Sequence, residues 1–411
     1  MKTPLITHDA VILGLLCALL GLVFATAHSA HPFWRRFYRY VPALLLCYFL
    51  PALANTLGLI DGDGSRLYHV ASRYLLPATL ILLTLSIDLP AIRRLGGKAV
   101  ILFLTGTVGV ILGGPFALLI WGWLSPETVA GDTWRGLTAV AGSWIGGGAN
   151  QAAMKEVFSI DNNLFGAMVA VDVLVANLWM AVILYLAGRS AEIDARSGAD
   201  TSAITALRER MERFQAEHAR VTRLPDLMFM MAIAFGFTGL SHALAAPLAE
   251  AFGAMGAWAQ RLSLASDFFW IVVLATSFGL GLSFTRARRL EGAGASVFGS
   301  AMLYVLVASI GMHMDLTSLF SNPGLFGVGL TWIAFHVLLL VIVARLLRAP
   351  VFYLAIGSQA NIGGAASAPV VASAFHPALA PVGVLLAVLG YALGTYGAWI
   401  CGQLMRGVVG G

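Results

Sequence analysis

Two stretches of the chain put polar residues where a long apolar run would otherwise continue. The first, "GSWIGGGANQAAM", carries Ser143, Gly146, Gly147, Gly148, Asn150 and Gln151. The second, "GSQANIGGAASAPVV", carries Ser358, Gln359, Asn361, Gly363, Gly364 and Ser367. Clustered glycines break a helix, leaving unpaired carbonyls at one half-helix end and unpaired N–H groups at the other. The carbonyl end suits a cation and the N–H end an anion, because aligned peptide dipoles leave about half a unit charge of each sign there. The spacing predicts helix to about Ser143, a break at Gly146 to Gly148, and a restart capped by Asn150. In the second stretch Pro369, acceptable in a first helical turn and costly deeper in, predicts a restart near Ser367. The structural alternative is close helix packing through small residues.

A third feature is an acid within an apolar run. Asp172 sits in "LFGAMVAVDVLVANLWMAVIL", with Asn177 five residues on. A carboxylate at the centre of a membrane helix costs about 2.5 to 3.5 kcal/mol on insertion scales, so this one is a candidate sodium ligand or proton acceptor. The alternative is an Asp hydrogen-bonded between helices for assembly alone. Asp88 and Asp315 end apolar runs and read as N-caps of short helices. His336 and Arg73, both within apolar runs, read as core or interfacial side chains. "DGDGS" at Asp61 lacks the glycine and glutamate of a calcium loop. The chain carries no HExxH, no P-loop and no GxSG, so neither an enzyme nor a cofactor is expected beyond a coupling sodium or proton.

Groups of this kind have to be carried on membrane-spanning elements. Of the 411 residues, 59% are hydrophobic and 11% charged, against about 45–50% apolar and about 25% charged in soluble domains. Apolar windows recur near 10–28, 41–60, 67–88, 98–121, 134–158 and 164–187, then near 226–246, 267–284, 294–314, 324–346, 350–375 and 379–404. The class is an all-α polytopic membrane protein, with the lipid bilayer as its first partner. Arg and Lys cluster in the short loops between these windows, so the net charge of +5 is a topology signal and not a nucleic-acid surface. Cys17, Cys47 and Cys401 lie in apolar runs without a CxxC pair, which indicates helix packing and neither a disulfide framework nor a zinc site. The positive cluster "RRFYR" after the first window favours a retained first helix with its N-terminus outside.

The two sets of windows resemble each other. "LYHVASRYLLPATLILLTLSIDL" lies on "GASVFGSAMLYVLVASIGMHMDL", the two glycine-rich stretches match, and "AVDVLVANLWMAVI" matches "LLAVLGYALGTYGAWI". Ordered matches of this kind indicate a duplication. The division is 1–40 (first helix and basic loop), 41–188 (first repeat), 189–266 (charged insert and linker helices) and 267–411 (second repeat). Basic loops after the 67–88, 267–284 and 324–346 windows give matching helices opposite directions, the inverted plan of many secondary transporters. That orientation requires an even number of crossings within 188–266. The 226–246 window supplies one and "APLAEAFGAMGAWAQRL" is the candidate for another, giving eleven to thirteen crossings and an insert outside. Within the insert, "ITALRERMERFQAEHARV" suits a solvated helix.

"AGSWIGGGANQAAMKEVF", "VDVLVANLWMAV" and "GSQANIGGAASAPVVASAF" resemble the YjcL-like bacterial membrane proteins grouped as domain of unknown function 819. The resemblance spans both halves apart from the first helix and the charged insert. It implies the cation:proton antiporter and anion transporter superfamily, with bile-acid:sodium and glutamate:sodium symporters as relatives. It further implies inverted repeats of about five helices, two broken crossing helices as in the bile-acid:sodium symporters, a homodimer and a bacterial inner-membrane location. Carried over, Ser143 to Gln151 and Ser358 to Ser367 would line the solute site, with Asp172 and Asn177 beside it for cation coupling. The antiporter branch has paired acidic or Asn-Asp residues where "AVDVL" has one acid. The function expected is secondary transport of a small anionic or zwitterionic organic solute coupled to sodium or protons. The alternatives are a monovalent cation/proton antiporter, and an embedded enzyme or assembly factor.

Overall fold

The computed structural model describes residues 4–41, 43–62, 64–199, 204, 222–313, 322–376 and 379–410. These residues are helical almost throughout and contain no strand. Helices α1 (Asp9–Ala27), α2 (Pro32–Tyr40) and α3 (Ala43–Thr56) come first. Helix α4 (Leu67–Val70) passes through a π-helical turn, Ala71–Leu75, into α5 (Leu76–Leu85). Then follow α6 (Leu89–Arg94), α7 (Gly97–Leu124), α8 (Thr133–Val157), α9 (Asn162–Gly188) and α10 (Ser190–Ser197). After the insert come α11 (Leu224–Gly253), α12 (Ala257–Arg261), α13 (Asp267–Ser283) and α14 (Ala295–Gly311). The chain ends with α15 (Gly324–Leu346), α16 (Val351–Ile362), α17 (Gly364–Phe375) and α18 (Ala380–Val408).

Among the described residues six helices are long and apolar enough to cross a membrane: α1, α7, α9, α11, α15 and α18, or up to eight spans if each of two bent pairs counts as one. Length and composition alone thus identify fewer spans than the eleven to thirteen crossings read from sequence, and the difference has physical causes. The 67–88 window is divided by the π turn, and α14 is an apolar helix of 17 residues. The 226–246 window belongs to one helix of 30 residues that already includes Ala246 to Gly253. "APLAEAFGAMGAWAQRL" is therefore no second crossing; its remainder forms only the five-residue α12. Apart from residue 204, the solvated helix expected over 204–221 lies outside the described residues, as does Asp315.

Contacts along the helices give their relative directions. Helix α7 runs antiparallel to α15, with Gly113 against Trp332, Gly109 against His336, and Lys98 Nζ 3.4 Å from the Arg348 carbonyl. Helix α11 runs antiparallel to α5, whose start it meets through His242 and the Arg73 carbonyl (2.8 Å). Asp88 caps α6 as its sequence position predicts, accepting from Ala91 N at 3.0 Å, and also pairs with Arg288 at 3.0 Å.

The two glycine-rich stretches are not helices broken in mid-crossing. Each folds back on itself. Trp134 and Phe158, at opposite ends of α8, are in edge contact with ring centroids 5.8 Å apart, whereas a straight helix of that length would hold them about 36 Å apart at 1.5 Å per residue. The reversal falls at Gly147, whose φ of 73° and ψ of −174° lie where essentially only glycine is stable. The two legs pack so closely that a Cβ on Gly142 would lie 2.6 Å from the Asn150 carbonyl oxygen. Helices α16 and α17 form the second hairpin: Phe352 and Phe375 meet at 5.3 Å, and the turn passes through Gly364 at φ 57°.

The hairpins enter from opposite ends of the bundle. Helix α18 runs along both, with Gly383 against Ala368 of the second, Gly394 against Gly146 at the first tip, and Gly402 against Phe158 at the first mouth. The expected crossing of two broken helices is thus replaced by two re-entrant hairpins. A crossing requires the helix direction to continue through the break, and Gly147 reverses it.

Candidate functional site

The first leg of hairpin one, Thr133 to Gly146, and the 12-residue α16 are about 20 Å and about 18 Å long at 1.5 Å per residue, together close to the roughly 40 Å of a bilayer with its headgroups. Their tips therefore meet about halfway between the two mouths of the hairpins. A Cβ built on Gly364 would lie 4.0 Å from Gly147 Cα. Beside this meeting point is a cavity of about 430 Å³, within the roughly 300–1,000 Å³ of small-molecule sites.

Of the residues predicted from sequence, the cavity gathers Ser143, Gly147 and Gly148 from hairpin one and Gln359, Gly363, Gly364 and Ser367 from hairpin two. Asp172 and Asn177 of α9 complete it. Among the described residues Asp172 is the one charged residue of the lining. It is held from both legs of hairpin one: Trp144 Nε1 donates to Oδ1 at 2.7 Å and Gln151 Nε2 to Oδ2 at 2.8 Å. Among the described residues no Lys or Arg forms an ion pair with it. The Asp172 carboxylate is thus satisfied by neutral donors while keeping lone pairs for a further partner.

Gly146, Asn150, Gln151, Ser358 and Asn361 do not line the cavity. Asn150 does not cap the second leg. Its Nδ2 donates to the Gly146 and Tyr391 carbonyls, both at 3.0 Å, and its Oδ1 accepts from Thr395 at 2.6 Å. Asn361 repeats the arrangement on α7, donating to the Phe103 and Gly357 carbonyls, both at 2.9 Å, and accepting from Thr107 at 2.8 Å. One buried Asn thus pins each hairpin to a carbonyl and to the threonine four residues further along a neighbouring helix. A buried amide must satisfy its donors and acceptor, and this module does so.

Ser358 also points away, into the core, where Trp179 Nε1 donates to its hydroxyl at 2.7 Å. His336 lies beside it, with Nε2 2.8 Å from Ser358 Oγ and Nδ1 3.0 Å from the Gly106 carbonyl. A carbonyl only accepts, so Nδ1 carries the proton and Nε2 of the neutral ring accepts from Ser358. This fits the core role read for His336. Gln151 serves the site indirectly, bracing Asp172 while accepting from Tyr48 at 3.3 Å. The second helix restarts at Gly364, three residues before Ser367, because Gly364 itself makes the turn. Pro369 is accommodated inside α17.

Asp194 of α10 accepts from Val351 N at 2.8 Å, at the mouth of hairpin two. The start of the insert therefore lies at the same end of the bundle as Arg345 and Arg348, against the opposite placement suggested by counting α8 as a crossing. The shift follows from the hairpin, since a re-entrant segment returns to its own side. Arg73 is partly buried, its guanidinium carbon 4.4 Å from the Phe268 ring centroid and its Nη2 3.9 Å from Glu156.

The family described as "Protein of unknown function (DUF819)" matches residues 14–408. The chain belongs to the DUF819 family. Among curated relatives it is similar to the "Uncharacterized membrane protein YjcL" of Bacillus subtilis (strain 168), 24% identical over 352 residues that cover 81% of this chain and 82% of the relative. For this DUF819 chain the family and membrane character read from sequence stand together with the apolar helices of the fold.

The cavity also has walls that pattern reading missed: Leu44, Leu83, Ser300, Leu303, Tyr304 and Tyr391. A local signal existed for Tyr391 alone, which the repeat alignment sets opposite Ala176, itself a lining residue. A smaller cavity of about 160 Å³ has Thr395 and Tyr396 as its polar groups. Both are already bonded, to Asn150 and Ser277 respectively.

Proposed function

We propose that this protein is a secondary active transporter of a small organic solute, coupled to sodium or protons, with its solute site between the hairpin tips. The observation that carries the reading is the meeting of Gly147 and Gly364 beside a cavity whose only charge, among the described residues, is Asp172. A site reached by one hairpin from each end can be uncovered from either side in turn by moving one hairpin at a time, which is the requirement of alternating access.

The order of elements supports a duplicated, inverted plan. Helices α3, α5, α7, hairpin one and α9 correspond in order to α13, α14, α15, hairpin two and α18, and in sequence at α5 with α14, at the two hairpins and at α9 with α18. Hairpin one does not cross, so a single long helix, α11, between the sets is enough to reverse the second set. The even number of crossings otherwise required disappears. The basic residues Lys98, Arg345 and Arg348 share the mouth of hairpin two, which makes that end the cytoplasmic one by the positive-inside rule. On this reading the membrane is the bacterial inner membrane, and the superfamily is that of cation:proton antiporters and anion transporters.

Coupling follows from charge. At about 5 Å from an uncompensated carboxylate an anionic group is repelled by about 3 kcal/mol at an effective dielectric near 20. Sodium or a proton at Asp172 removes that repulsion, making solute binding conditional on the cation. The protein's role is positioning and carriage, without covalent chemistry. Sodium is expected to raise the melting temperature of the purified protein relative to choline, and Asp172→Asn to abolish the rise. If neither sodium nor pH alters the wild type's melting, cation coupling at Asp172 is wrong. Proton flux driven by sodium or potassium without organic solute would instead assign cation/proton exchange.

A further inference from the structure

Three features of the cavity ask for different parts of one ligand. Gln359 is 1% exposed and lines the cavity; its Nε2 donates to Ser367 Oγ at 2.7 Å, while its Oε1 is buried with no hydrogen-bond partner. An unpaired buried acceptor is costly, so this oxygen suits a ligand donor. The second feature is the start of α17, a 12-residue helix whose N-terminus at Gly363 and Gly364 opens on the cavity and receives no side-chain cap. Its unpaired N–H groups and dipole suit an anionic group. The Gln359–Ser367 hydrogen bond joins the two features, so donor and anion on the ligand must be close neighbours. The third feature is the apolar wall formed by Leu44, Leu83, Met180 and Leu303.

Charge balance narrows the choice further. With a coupling cation at Asp172 the cavity is neutral, and a solute with net charge would leave that charge unpaired in a low-dielectric site. A zwitterion leaves none. Resting on the transporter reading above, we infer that the solute is an α-amino acid with an apolar side chain. Its ammonium donates to Gln359 Oε1, its carboxylate lies at the start of α17, and its side chain lies against the leucines.

The test is equilibrium binding to the full-length protein in detergent with sodium present. The probes are L-leucine and L-phenylalanine, the acids isocaproate and hydrocinnamate, which lack the amine, and the amines isoamylamine and phenethylamine, which lack the carboxylate. At least one amino acid is expected to bind about tenfold or more tighter than both of its analogues. Gln359→Leu is expected to remove that preference, and Gln359→Glu, which keeps the acceptor, to retain it. The wild-type comparison stands even if a variant does not fold. Equal binding of the acid and the amino acid, or binding of neither amino acid, overturns the proposal. If the acids bind and Gly147→Leu abolishes this, the transport site survives with a different solute class. If nothing binds and sodium leaves melting unchanged, the transport reading falls as well.

Discussion

Alanine substitution at the three consecutive glycines Gly146, Gly147 and Gly148 distinguishes a re-entrant hairpin from a helix that passes straight through. At Gly147 the added Cβ has room, its nearest neighbour being Tyr391 Cε1 at 3.7 Å, so any cost comes from holding φ at 73° and ψ at −174°. Such a conformation costs a non-glycine residue about 1–3 kcal/mol. At Gly148 the space is the same, with Leu303 Cδ2 at 3.7 Å, and φ is not positive. Here alanine gains up to about 1 kcal/mol from helix propensity. At Gly146 the cost is steric, because the Cβ would lie 2.2 Å from Asn150 Nδ2 and 2.8 Å from the Gly390 carbonyl oxygen. Overpacking of this kind costs about 1–3 kcal/mol, and it also displaces the Asn150 clamp. Reversible unfolding in mixed micelles should therefore separate Gly147→Ala from Gly148→Ala by about 1–4 kcal/mol. In a straight helix all three alanines would be neutral or stabilising. That result would refute the hairpin and, with it, the site built at its tip.

Three further outcomes follow from the same geometry. In a background with Cys17, Cys47 and Cys401 replaced, cysteines at Gly131 and Ser159 should react with an impermeant thiol reagent from one face, and cysteines at Arg348 and His376 from the other. Labelling of the two ends of one hairpin from opposite faces would exclude re-entrance. The Thr395–Asn150 hydrogen bond of 2.6 Å should show a coupling energy of about 0.6 kcal/mol, and up to about 1.7, in an Asn150→Leu and Thr395→Val double-mutant cycle. Additive effects would show that the clamp is not energetically linked. Ser358→Ala strands Trp179 Nε1 and His336 Nε2, at about 1–3 kcal/mol for each buried group, and should leave solute affinity unchanged because Ser358 faces away from the cavity. A selective loss of affinity without loss of stability would return Ser358 to the site.

What can be read along the chain alone is set by local chemistry. Apolar windows report the membrane, clustered glycines report breaks, and Asp172 stands out because a carboxylate in hydrocarbon is expensive wherever the rest of the chain lies. The direction of the chain after a break is not a local property. Gly147 permits both continuation and reversal, and the reversal is selected by packing from elsewhere, notably Gly142 against Asn150 and the glycines of α18 against both hairpins. The same holds for the polar residues around the breaks. Asn150 and Gln359 look equivalent as buried amides, yet Asn150 is fully bonded by Thr395 and two carbonyls, and Gln359, which lines the cavity, keeps an unpaired oxygen. Residue type determined which side chains had to find partners in a medium without water, and the tertiary fold decided which found them within the protein and which remained for a ligand.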